Sequence, residues 1–224
     1  MYTVSTRRPL NRDRVIQAAV AYADARGLDE LTMRGLAAEL GVVPMALYKH
    51  VADKYDLVGG MIDAVVASYR TPTETGWQAR LRERVLNARE RVSWHPWLRS
   101  AIESRDAPTA TVLGYQNAVA GELIESGLAV DLVHHALHAL GHRLWGFSPE
   151  AFRGAAAAPS VAEQATQLAE RLPYVVAIAV DAGSRTRSGA CDDDAEFAFT
   201  LDLLLDAFAR LHERGWESGP RLSG

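Results

Sequence analysis

Three observations predict an all-α fold for this chain. Apolar residues recur three and four apart over most of its length. The breaks between these runs carry glycine, proline, serine or aspartate, and no segment alternates apolar and polar residues as a half-buried strand would. With 224 residues, 48% of them hydrophobic, the chain can bury a sizeable core in one larger domain or two coupled ones.

The first helix is predicted to start at Asn11, a good N-cap. Val15, Ile16, Ala19, Tyr22 and Ala23 form its apolar face, and Gly27 stops it. Thr32 caps a second helix whose buried face is Met33, Leu36, Ala37 and Leu40. Gly41 supplies the left-handed residue that turns the chain, and Val42 locks the turn against the core. Pro44 suits the first position of a third helix of about two turns, because its fixed φ and missing N–H do no harm there. Asp53 is the N-cap of a fourth helix, residues 53 to 69, through Leu57, Met61 and Val65. Two short helices joined by a glycine turn, with a capped helix before them, read as a helix-turn-helix.

The string G-V-x-x-x-x-L-Y-x-H-V-x-x-K-x-x-L, formed by Gly41, Val42, Leu47, Tyr48, His50, Val51, Lys54 and Leu57, resembles the DNA-binding signature of the tetracycline-repressor (TetR) family. In a helix-turn-helix the second helix enters the major groove while flanking polar groups hold the sugar-phosphate backbone. Tyr48, His50 and Lys54 are therefore the expected positioning contacts, and Pro44, Met45, Ala46 and Lys49 the expected base readers. Lys49 suits guanine O6 or N7, and Met45 and Ala46 suit thymine methyls. Thr32 and Arg34 are weaker candidates, with helix capping and solvation as their respective alternatives. Tyr48 alone would read as a half-buried structural tyrosine and His50 alone as a surface residue, but their joint spacing favours phosphate contact. Arg7, Arg8, Arg12 and Arg14 form either a basic arm against DNA or a disordered terminus. Val43 and Pro44 depart from the family's polar or small residues, so the helix lacks its side-chain cap.

Charge agrees with this division of labour. The chain carries a net −4, which argues against a protein coating nucleic acid or membranes everywhere. Residues 1–54 hold 8 Lys+Arg against 6 Asp+Glu, leaving 16 against 22 for the rest, and the only two lysines are Lys49 and Lys54. The single cysteine, Cys191, excludes an internal disulfide, and its neighbours Asp192, Asp193 and Asp194 disfavour the thiolate. Polar, basic first residues and the absence of an 18-residue apolar run predict a soluble cytoplasmic protein with no membrane association.

Residues 71–76, TPTETG, are the expected hinge. Helices are predicted from Trp77 to about Val92, shortly after His95-Pro96, from about Thr109 to Glu125, and from Asp131 to Trp145. Ser148-Pro149 and the capping box Ser160-x-x-Glu163 each open another. Ser184 to Gly189 reads as a loop, and a long helix runs from about Asp193 to Arg214. The domain expectation is a DNA-binding domain over 1–55 and a helical effector-binding and dimerisation domain over 56–224, connected by helix 53–69.

Phe197, Leu201, Leu204, Phe208 and Leu211 form a heptad stripe, read as a dimer seam with an ordinary core helix as its bland alternative. The resemblance implies the seam, because TetR-type proteins dimerise through C-terminal helices; residues 160 to 171 would contribute the second helix. It also implies a small-molecule effector site. Trp94, Trp97, Tyr115, Trp145 and Phe147 are its candidate aromatic lining, with Gln116, Asn117, His138 and His142 as polar contacts. His134, His138 and His142 lie four apart, yet no carboxylate or cysteine pattern completes a metal site, so neither metal nor cofactor is expected. No phosphate loop, nucleophile elbow or carboxylate pair marks an enzyme. The expected function is a ligand-responsive, homodimeric DNA-binding regulator, most simply a repressor released from a palindromic operator. The alternative is a helical ligand-binding or interaction protein that does not bind DNA.

Overall fold

The computed structural model describes residues 9–145 and 193–219, with only the backbone of Trp145. Arg7, Arg8, Phe147, the Ser148-Pro149 and Ser160 helix starts, the helix contribution from 160 to 171, the 184–189 loop and Cys191 lie outside the described residues. The described residues form nine α-helices and no strand: α1 Arg12–Arg26, α2 Met33–Leu40, α3 Pro44–Leu47, α4 Lys54–Val66, α5 Trp77–Trp94, α6 Leu98–Glu103, α7 Ala110–Glu125, α8 Val130–Trp145 and α9 Asp193–Glu213. By backbone packing the chain divides into two compact units, Met1–His138 with Leu211–Gly224, and Ala139–Arg210.

In the first unit, local chemistry sets the ends of the early helices. The Asn11, Thr32 and Asp53 side chains accept from the backbone N–H groups of Arg14, Gly35 and Asp56, so α1, α2 and α4 each begin on a satisfied cap. Gly41 adopts φ 64°, ψ 38°, and the Val42 N–H reaches back to the Ala37 carbonyl to close α2. The third helix is shorter than its sequence predicts. Val43 offers no side-chain cap, and after Leu47 the chain tightens into a turn in which both His50 and Val51 N–H groups bond the Leu47 carbonyl. Leu31, Leu36, Leu47, Leu57, Met61 and Ile62 are fully buried. Helix α4 packs on α1 at close range, because a Cβ at Gly60 would lie 2.6 Å from Ile16 Cδ1.

Helix α4 ends three residues before the predicted Tyr69, where the Ser68 hydroxyl donates to the Val65 carbonyl at 2.6 Å. It packs on α6 and α7, and α5 packs on α7. The expected hinge is tied down: Glu83 accepts from the Thr73 and Glu74 N–H groups at 2.7 and 3.0 Å, and Asn87 accepts from the Arg70 N–H at 2.7 Å.

In the second unit Phe197 and Leu201 are buried, and the Arg143 guanidinium lies 4.6 Å over the Phe197 ring. Of the heptad stripe, Phe197, Leu201 and Phe208 are at most 5% exposed within the single chain. Leu204 and Leu211 are half-buried. A 3-4 apolar spacing is the pattern of any core-facing helix, and sequence alone does not say whose core it joins. The outward apolar residues of α9 are Phe199 and Leu203, 60% and 50% exposed.

Candidate nucleic-acid interface

The segment from Val43 to Lys54 presents its side chains in two sets. Leu47 and Val51 are buried and anchor it. Val43, Met45, Tyr48, Lys49 and Lys54 are exposed, while Pro44, Ala46 and His50 are half-buried. The motif therefore keeps its apolar anchors inside and its candidate DNA contacts outside, as a recognition segment requires.

A polar clamp that sequence reasoning missed fixes the turn between α3 and α4. Arg12 donates to both Asp56 carboxylate oxygens, at 2.7 and 2.9 Å, and to the His50 carbonyl at 2.9 Å. Asp56 also accepts from the Ala52 N–H at 2.8 Å. The Arg12 hydrogen bonds and the Ala52 N–H pull the Asp56 carboxyl down to about 2. Arg12 is thus a structural tie between α1 and the recognition segment rather than part of a free basic arm. Its partner lies 44 residues away, so no local spacing announces the pair.

Arg34 is exposed on α2, open to a backbone contact. The Thr32 oxygen accepts from the Gly35 N–H at 3.0 Å, so capping occupies it. Arg26 lies 4.4 Å over the Tyr22 ring and pairs with Glu39, away from the recognition segment.

The family model described as "Bacterial regulatory proteins, tetR family" matches residues 15–61, the span from the core of α1 through α4. Residues 15–61 thus carry a TetR-family DNA-binding domain. It is 40% identical over 99 residues to the HTH-type transcriptional repressor DrrR1 of Streptomyces coeruleorubidus, covering 43% of this chain and 37% of that one. Tetracycline repressor protein class G of Vibrio anguillarum is 28% identical over 213 residues, covering 90% and 95%. Among solved structures, a TetR variant from Acinetobacter baumannii AYE in complex with minocycline superposes with a TM-score of 0.62 at 26% identity, covering 91% of this chain and 99% of that one. The chain spans only 37% to 64% of the length of three curated relatives it matches.

Outside this TetR-type motif, the residues expected to line an effector site are not all brought together. Trp97 is 4% exposed, and its Nε1 donates to Asp24 at 2.6 Å, with His95 Nδ1 2.8 Å from the same oxygen. It is a strut between α6 and α1. Trp94 is half exposed beneath the Arg91 guanidinium, and Gln116, Asn117, His138 and His142 are exposed. Among the described residues no cluster of His, Cys, Asp and Glu is arranged to hold a metal ion.

Tyr115 points to a different cluster. Its ring meets that of Tyr69 edge-on at 5.4 Å. Both hydroxyls, and Asn87 Nδ2, are buried with no hydrogen-bond partner among the described residues. Burial pushes both phenols above their ordinary pKa, so they stay neutral donors. Nearby, Arg80 and Arg84 both donate to buried Glu122, Arg84 at 3.1 Å. An open cleft of about 660 Å³ runs along α5, lined by Arg70, Glu83, Asn87 and Glu90 among others; it is charged, unlike the aromatic pocket the sequence led us to expect.

Proposed function

We propose that this protein is a ligand-responsive, DNA-binding transcriptional repressor acting as a homodimer. The observation that carries the reading is the TetR-type motif folded with Leu47 and Val51 inside and Met45, Tyr48, Lys49 and Lys54 outside on one segment. Tyr48, His50 and Lys54 hold phosphates, and Lys49 with the apolar residues before it reads bases. Two copies would pair through C-terminal helices, with exposed Phe199 and Leu203 of α9 supplying apolar contact, and present two recognition segments roughly 34 Å apart or a multiple of it.

The body would bind a small-molecule effector. Minocycline bound by a TetR variant from A. baumannii supports this, as do the unpartnered polar atoms of Tyr69, Asn87 and Tyr115. Tyr69 follows the C-terminal end of α4, whose other end carries Lys54, so a ligand that displaces Tyr69 acts on the helix that positions the motif. The reading assigns no catalysis to this chain, and a cytoplasmic location; no helix among the described residues is long and apolar enough to cross a membrane. Purified protein titrated against DNA flanking its own gene, over a range of salt and with nonspecific competitor, tests it. A footprint over a near-palindrome is the expected result. Weak, sequence-blind binding at low salt would replace it with a helical ligand-binding protein.

A further inference from the structure

The recognition segment has an unusually narrow chemical vocabulary. Residues 43–49, Val-Pro-Met-Ala-Leu-Tyr-Lys, contain no Asn, Gln, Asp, Glu, Ser, Thr or Arg. The bidentate amide reading of adenine and the carboxylate reading of cytosine N4 are therefore impossible from this segment. Lys49 is its one cation, suited to guanine O6 or N7.

What remains is apolar and well presented. Met45 is 70% exposed and Val43 68%, which makes them two of the three most exposed large apolar side chains among the described residues. A single exposed apolar residue needs no explanation. Here two such residues flank Pro44 at the start of the segment, with exposed Tyr48, Lys49 and Lys54 following as groups that attract a polyanion. In a major groove the only apolar feature on a base edge is the thymine 5-methyl group.

We propose that this protein reads its operator through a two-letter code: thymine methyls packed against Val43 and Met45, and guanine contacted by Lys49. Val43 thereby becomes a specificity residue, although its position looks at first like a missing helix cap. The inference rests on the DNA-binding reading above and adds to it which bases are read and by which chemistry. A methyl group withdrawn from water against an apolar side chain contributes about fourfold in affinity, so one such contact in each of two half-sites contributes about fifteenfold.

The test uses the full-length protein and duplexes selected by it from a randomised double-stranded DNA library. The winning duplex is resynthesised with deoxyuridine in place of thymidine, one position at a time, which removes the methyl and leaves base pairing intact. One or two thymines per half-site are expected to lose about fourfold each on this change. The loss should vanish in Met45→Ala or Val43→Ala, while binding to unselected DNA keeps its salt dependence. If no uracil substitution weakens the wild-type protein although 7-deazaguanine substitution still does, the methyl code is wrong and the DNA-binding reading stands. If the library yields no enriched sequence, both fall together. Because the uracil series needs only the wild-type protein, a variant that fails to fold does not blunt the test.

Discussion

Helices α1 to α4, here the head, and helices α5 to α7, here the body, are stabilised by different kinds of interaction. In α1 to α4, three helix starts are capped by their own sequence neighbours, Asn11, Thr32 and Asp53, and the turn is made by Gly41 in the left-handed region. Helices α5 and α6 begin at Gly76 and Trp97 with no side-chain cap. The two buried polar residues among those described, Asn87 and Glu122, lie in α5 and α7. The helix ends of the head are therefore set by short-range signals, and one long-range pair, Arg12–Asp56, ties α1 to the turn between α3 and α4. In the body, long-range polar pairs such as Arg80 and Arg84 with Glu122 couple α5 to α7.

The largest effect expected from this contrast is in the body. Glu122→Ala strips two arginines of their partner, and Arg84 is only 15% exposed, so a loss of about 3–5 kcal/mol is expected, read as a lower urea midpoint. A cost under about 1 kcal/mol would mean that the pair is solvated like a surface bridge and that the contrast is overstated.

In the head, Asp56→Ala should cost about 2 kcal/mol, because it releases Arg12 and leaves the Ala52 N–H without its acceptor. The same pair predicts an acid dependence. Asp56 sits at about 2, below the ordinary carboxylate value of about 4, so its contribution is complete above about pH 4 and is lost as pH falls towards 2. Both side chains are partly exposed, at 44% and 34%, and solvent screening holds this acid-labile share to about 1 kcal/mol. Asp56→Asn should flatten stability over that window, as measured by thermal melts at stepped pH. Thr32→Ala, which removes one cap and nothing from the core, should cost about 1 kcal/mol.

These magnitudes track how legible each region was in the sequence. The caps at Asn11, Thr32 and Asp53, the turn at Gly41 and the anchors Leu47 and Val51 could all be read, because each follows from chemistry within a few residues. The Arg12–Asp56 clamp could not, since its partners are far apart in the chain and each has an adequate local role. That Trp97 would brace α6 against α1 through Asp24 could not be read, because an aromatic residue's preference for burial does not specify its neighbours. The α9 stripe was legible as apolar and helical, but the side on which its core lies is decided by the rest of the chain. Asn87 and Tyr69 were missed because a buried polar cluster leaves no periodic trace.

The smallest stability effects belong to the residues expected to matter most for DNA. Met45 and Lys54 are exposed, so Met45→Ala and Lys54→Ala should each leave the urea midpoint within about 0.5 kcal/mol of the parent. Their effects on binding should then separate. Lys54→Ala would remove the proposed phosphate contact, so affinity should fall for every sequence alike and the slope of log K against log salt should become shallower by about 1 per site. Met45→Ala removes no charge, so the slope should hold while preference at a thymine relaxes. If Met45→Ala changed the slope, or Lys54→Ala changed the preferred sequence, positioning and reading would not be divided between these residues. The head's outer face would then be a single coupled surface, with its specificity tied to the same contacts that give it affinity.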